Sequence, residues 1–195
     1  TVTLTNNSTG ATIASGATVE HGTVIKVTAT PSTGYNLSTL KAGSTTLSSG
    51  GTYTVSAATT VSATFAKKTY TVTISASNGT VTLKDASGNA IASGATVEHG
   101  TVITVTATPA TGYKLSTLKY GSTSISSGGT FTLTAATTVT GTFAKQTYTM
   151  TITNPTGGKI TVKDASGNTV ASGTKVAYQT KLTVTLTPNS GYRVK

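Results

Sequence analysis

The feature that most constrains this chain is that it repeats itself. The string ASGATVEHGTVI stands at residues 14–25 and again at 92–103, and a diverged copy, ASGTKVAYQTKL, begins at Ala171. TPSTGYNLSTLK at Thr30 returns as TPATGYKLSTLK at Thr108 and as TPNSGYRVK at Thr187. SSGGTYTVSAATTVSATFAK at Ser48 returns as SSGGTFTLTAATTVTGTFAK at Ser126, and KDASGN occurs at Lys84 and Lys163. Copies spaced 78 and then 79 residues apart mean one small folding unit used in series. The repeats divide the chain at 1–68, 69–146 and 147–195, and only the middle one is complete. The first opens at Thr1, the counterpart of Thr80, and so lacks a first strand equivalent to Tyr70-Val72-Ile74. The third stops near the counterpart of Ser116 and lacks its closing third. A window from a longer array is the expectation.

Within the middle repeat the hydrophobic period is two. Tyr70, Val72 and Ile74 alternate with threonine, as do Ile103, Val105 and Ala107. That is the signature of strands with one covered face. Fifty of the 195 residues are threonine, and its β-branched side chain favours strands over helices. Asn78-Gly79 and DASGN at Asp85 read as turns, because these residues accept positive φ or bond their own backbone. Glu98-His99-Gly100 reads as a third turn. Pro109 ends its strand, having no N–H to donate. Leu115 and Leu118 break the alternation, so that segment is expected to be half-irregular. The fold predicted is all-β with essentially no helix. It is a tandem array of small antiparallel domains, β-sandwich-like or β-grasp-like, with about seven strands per unit. Leu83, Ile103, Val105, Phe131 and Phe143 are expected inside, Thr104 and Thr106 outside. A unit this size buries only about 60–65 % of its unfolded surface. The joints Ala66-Lys67-Lys68-Thr69 and Ala144-Lys145-Gln146-Thr147 are too short for flexible linkers, so stiff coupling is expected.

Composition excludes several functions. With no cysteine there is no disulfide framework, thiolate metal site or cysteine nucleophile. No apolar run approaches the roughly 20 residues of a membrane helix, and no stretch reads as a signal peptide. Glu20-His21 and Glu98-His99 are the only carboxylate–histidine neighbours. Adjacent strand residues point to opposite faces, and the third copy has Ala177-Tyr178 there, so an exposed turn is the reading. Asp85 with Asn89, and Asp164 with Asn168, offer too few oxygens for calcium, which takes six or more; the first copy has Asn7-Ser8-Thr9-Gly10 instead. Serine and threonine abound, but the imidazoles are only His21 and His99, and no acid pair suits glycoside hydrolysis. No catalytic, cofactor-binding or metal-binding residue is assigned, and no enzyme activity is expected.

Fourteen Lys and Arg against four Asp and Glu give a net charge of +10. The lysines are dispersed (Lys26, Lys41, Lys84, Lys114, Lys119, Lys163, Lys181), apart from Lys67-Lys68. Dispersed lysines protect sheet edges from pairing and attract anions without reading bases. An anionic glycan or envelope polymer is therefore a conceivable partner, while specific nucleic-acid recognition and membrane insertion are not expected. Tyr35, Tyr113 and Tyr192 share the T-G-Y or S-G-Y slot and read as half-buried anchors rather than sugar platforms.

The YTVTI opening, the GTVITVTATPATGY segment at Gly100 and the closing T-V-T-x-T-F strand together resemble the divergent InlB B-repeat of bacterial cell-surface proteins. The resemblance covers the whole chain. At the place after G-Y where such repeats carry Trp, this chain has Leu40 and Leu118. The resemblance implies an extracellular, surface-exposed tandem repeat without catalysis. The leading functional expectation is a stiff spacer or adhesin stalk whose partners are its neighbouring repeats. Alternatives are a filament subunit assembled with other copies by strand exchange, and a glycan- or anion-binding module.

Overall fold

A computed structural model of the chain describes residues 1–194. Every regular element among them is a strand. The chain resolves into two compact units. One takes Thr1–Val72, Gly94–Ile103 and Phe131–Thr137, the other Thr73–Ser93, Thr104–Thr130 and Thr138–Lys195. The joint between the first and middle repeats lies inside the first unit, and the joint between the middle and third lies inside the second.

In the first unit, the first repeat forms two antiparallel sheets. One runs in the order Thr12–Ile13, Val2–Asn6, Val24–Ala29, Gly51–Thr54; the other runs Thr45–Thr46, Tyr35–Ala42, Val61–Lys67. The register sets Leu4 opposite Val27 and Ile25 opposite Tyr53, so alternate residues of neighbouring strands face one side. Ile25, Val27 and Ala29 from one sheet and Leu40 from the other form a single buried cluster, flanked by Leu37 and Phe65. Two sheets sharing one apolar layer is the sandwich-like alternative. The same unit contains Ala95–Glu98 paired with the start of Thr69–Ser77, Tyr70 opposite Val97.

In the second unit, Tyr113–Tyr120 pairs with Thr137–Lys145, Gly79–Asp85 with Ala90–Ile91, and Gly158–Asp164 with Leu182–Pro188. Thr147–Thr149 pairs with Lys175–Ala177. Val81, Leu83, Val105, Leu118, Val139 and Phe143 are buried. The Phe143 ring lies over Gly79, where ring carbons stand 2.7–2.8 Å from the place a Cβ would take. Asn78 before it has φ 62°, as the Asn-Gly turn signal requires.

Leu83, Ile103, Val105, Phe131 and Phe143 are all buried, as alternation predicted, and Thr106 is exposed. Thr104 is half-buried, against expectation. The middle repeat has nine strands rather than seven, two of them of two residues. The segment around Leu115 and Leu118 is not half-irregular but one strand with a bulge: the register shifts between Leu115 and Thr117. One extra residue on one strand resets which face the next side chain takes, which is why Leu118 is buried although it is out of phase with Leu115. The first repeat has the same shift between Leu37 and Thr39. A threonine pair bridges the strands there in both, Thr39 to Thr64 and Thr117 to Thr142, each at 2.6 Å between hydroxyl oxygens. Leu40 and Leu118 are both buried.

Candidate functional site

The most elaborated constellation lies where one repeat meets the next. It starts from the Gly-Tyr turn. Gly34 has φ +80° and Gly112 φ +77°, a left-handed conformation open to glycine and costly to most other residues. Each turn is closed by the following tyrosine: Tyr35 N–H donates to Ser32 O and Tyr113 N–H to Ala110 O, both at 3.0 Å. The missing side chain leaves a hollow. In the first joint the His99 imidazole fills it, and a Cβ built on Gly34 would run into that ring. In the second joint the Tyr178 phenol does the same over Gly112.

Backbone hydrogen bonds clip the joint together. Lys68 N–H donates to Gly34 O at 2.7 Å, and His99 N–H to Lys68 O at 2.8 Å. In the second joint Gln146 N–H donates to Gly112 O and Tyr178 N–H to Gln146 O, both at 2.8 Å. Each connecting residue thus bonds backward to the preceding repeat's turn and forward to the following repeat's ring-bearing residue. This leaves no length of unbonded chain at the crossing.

Side chains differ between the joints. In the first, Tyr70 and His99 have ring centroids 5.9 Å apart, tilted by 58°, within the range of favourable aromatic pairs. Lys67 Nζ donates to Glu98 Oε2 at 3.1 Å. The hydrogen bond to Glu98, and next its negative charge, hold the Lys67 ammonium above the ordinary lysine value of 10.5. His99 Nδ1 is buried with no hydrogen-bond partner. In the second joint the counterpart of Glu98 is Ala177. Gln146 takes over the polar role: its Nε2 donates to Tyr113 O at 3.1 Å, and Tyr148 OH donates to its Oε1 at 2.7 Å.

His99 is therefore not the exposed turn residue expected. It is half-buried because the preceding repeat's glycine admits its ring. His21, the same residue one repeat earlier, is exposed. The other candidates stay apart. Asp85 and Asp164 are turn residues: each accepts backbone bonds from two following N–H groups and a side-chain bond from Asn89 or Asn168. The side-chain amide of Asn89 or Asn168, helped by those backbone donors, lowers each carboxyl below its ordinary 3.8. In the first repeat the capping residue is Asn6 rather than Asn7; its carboxamide accepts from Ser8 and Thr9 N–H. Tyr35 and Tyr113 are half-buried, Tyr192 is exposed. Among the described residues no three His, Cys, Asp or Glu side chains converge as metal ligands, and no helix is long and apolar enough to cross a membrane.

The ring-on-glycine pairing has one signal in the sequence: an aromatic or imidazole ring at both His99 and Tyr178, matched to a Gly-Tyr turn one repeat back. The divergent InlB B-repeat domain model matches residues 1–69, 70–147 and 148–195. No curated protein and no solved structure matches the chain.

Proposed function

Because the chain belongs to the divergent InlB B-repeat family, whose repeats are associated with bacterial surfaces and are typically non-enzymatic, we propose that it is an extracellular spacer: a stalk segment that holds another domain away from the cell. The observation that carries this reading is the joint. A spacer needs repeats that couple without slack, and each crossing here combines two backbone hydrogen bonds with a ring set over a glycine. Such a crossing has no free torsions of the kind that make Gly/Ser linkers coil. The dispersed lysines keep a threonine-rich surface soluble and its edges unpaired.

The test displays a reporter domain from a bacterial surface anchor through this chain and measures its height above the cell wall. The native chain is expected to hold the reporter higher than a double variant, His99→Ala with Tyr178→Ala. Equal heights, together with saturable binding of a defined glycan by the native chain, would overturn the spacer reading in favour of a binding module.

A further inference from the structure

Ser38-Thr39-Leu40-Lys41 in the first repeat recurs unchanged as Ser116-Thr117-Leu118-Lys119 in the middle one. Both runs begin at the bulge, where the register shifts between Leu37 and Thr39 and between Leu115 and Thr117. A bulge re-aims the side chains around it. The leucine of each run is buried, and the serine, threonine and lysine are exposed.

The ladder sets hydroxyls around each lysine. Lys41 stands between Thr46 and Ser62 of the neighbouring strands, and Lys119 between Ser124 and Thr140. In the next row the hydroxyls of Thr39 and Thr64, and of Thr117 and Thr142, are hydrogen-bonded at 2.6 Å. All of these residues are exposed except Thr140, which is half-buried. Strands lie about 4.8 Å apart, so each row offers a hydroxyl, an ammonium and a hydroxyl across about 10 Å. Lys26 also stands between two threonines, Thr5 and Thr52, but its counterpart one repeat on is Thr104, so that row occurs once.

No carboxylate answers these lysines. The strands Tyr35–Ala42, Thr45–Thr46, Val61–Lys67, Tyr113–Tyr120, Thr123–Ser124 and Thr137–Lys145 hold five lysines and no Asp or Glu. Asp85 and Asp164 are bonded within their own turns and Glu98 to Lys67, while Glu20 lies outside the strands. Among the described residues neither Lys41 nor Lys119 is in an ion pair.

We propose that this face binds an acidic polysaccharide, with one site around Lys41 and a second around Lys119. The ammonium takes a sugar carboxylate in a charge-assisted hydrogen bond. The serine and threonine hydroxyls, each able to donate and accept, take the hydroxyls of the sugar rings on either side. The threonine pairs hold their hydroxyls in place beforehand, which lowers the ordering cost of binding. None of these residues is aromatic, as the stacking of nucleic-acid bases would need. Such binding is compatible with a spacer and does not depend on one.

The test is calorimetric titration of the full chain with polygalacturonate, a linear carboxylated glycan, at about 0.1 M salt. Saturable binding is expected. Polyglutamate, which has the charge without the hydroxyls, should bind at least about tenfold more weakly, and dextran, which has the hydroxyls without the charge, should not bind. Lys41→Gln with Lys119→Gln should weaken polygalacturonate binding about tenfold. Lys84→Gln with Lys181→Gln removes the same charge, from a position opposite Ala90 and from one outside the strands, and should weaken it less than about twofold. Equal losses in the two double variants would overturn the proposal, since net charge alone would then be acting. Absence of polygalacturonate binding, or polyglutamate or DNA bound as tightly, would overturn it too.

Discussion

The two joints solve one problem with different side chains. Both set a ring over a glycine and both use the same pair of backbone bonds. The first adds an exposed ion pair, Lys67 with Glu98, and leaves His99 Nδ1 unpaired. The second drops the ion pair and spends its polar groups on a Gln146 network with Tyr113 and Tyr148. The difference teaches that the coupling is specified by the backbone and by the absence of a Cβ. The ring is a filler whose identity can change, and the surface charges are an addition rather than the cause. Six substitutions sharpen or break that comparison.

The largest effect is expected at the glycines. Gly34→Val and Gly112→Val each force a β-branched residue into positive φ, costing about 1–3 kcal/mol, and drive a side chain into the ring, costing about 1–3 kcal/mol more. Denaturant unfolding should show similar losses for both; a loss at only one would break the equivalence of the joints. Next come the rings. Tyr178→Ala should cost about 1–3 kcal/mol, and His99→Ala less, because a smaller ring leaves a smaller void and an unpaired nitrogen goes with it. An equal or larger loss at His99 would show that the imidazole does more than fill the hollow.

His99→Tyr carries the second joint's ring into the first. It removes the orphaned Nδ1, and stability is expected to rise by about 1 kcal/mol; a fall would show that the two hollows differ in shape. The smallest effect is Glu98→Gln. Lys67 titrates above its ordinary 10.5 in the folded chain because of Glu98, so the pair stabilises wherever lysine is charged. That contribution is fully present below the unfolded lysine value and is lost as pH rises through the raised folded one. Unfolding curves of Glu98→Gln and the native chain should therefore differ slightly at about pH 8 and converge toward about pH 12, and added salt should narrow the gap. A difference that persists at high pH would mean Glu98 acts through something other than Lys67.

How much of this was legible depends on range. Alternation marks a face of one strand, so Leu83, Ile103 and Val105 could be read as core directly, and Asn78-Gly79 as a turn. Alternation does not say what covers the face. Val27 is buried because it shares a cluster with Leu40 of the other sheet, which nothing in its own strand announces. The bulge after Leu115 was visible only as broken alternation, because a bulge is a mismatch between two strands and neither strand alone records it. The burial of His99 is hidden from the local sequence for a similar reason. Its burial is set by Gly34, in another repeat, and nothing in Glu98-His99-Gly100 itself distinguishes it from exposed Glu20-His21-Gly22.

The central claim is that a ring over a glycine couples each repeat to the next without slack. Because the chain has no cysteine, spin labels can be placed at will. Thr3→Cys with Thr132→Cys spans the first joint within the first unit, and Lys119→Cys with Lys163→Cys spans the second joint within the second; all four sites are exposed strand positions. Pulsed electron-spin distance measurements should give one narrow distribution for each pair. His99→Ala should broaden only the first, and Tyr178→Ala only the second. Broad distributions in the native chain, or narrow ones that survive loss of the ring, would contradict the claim.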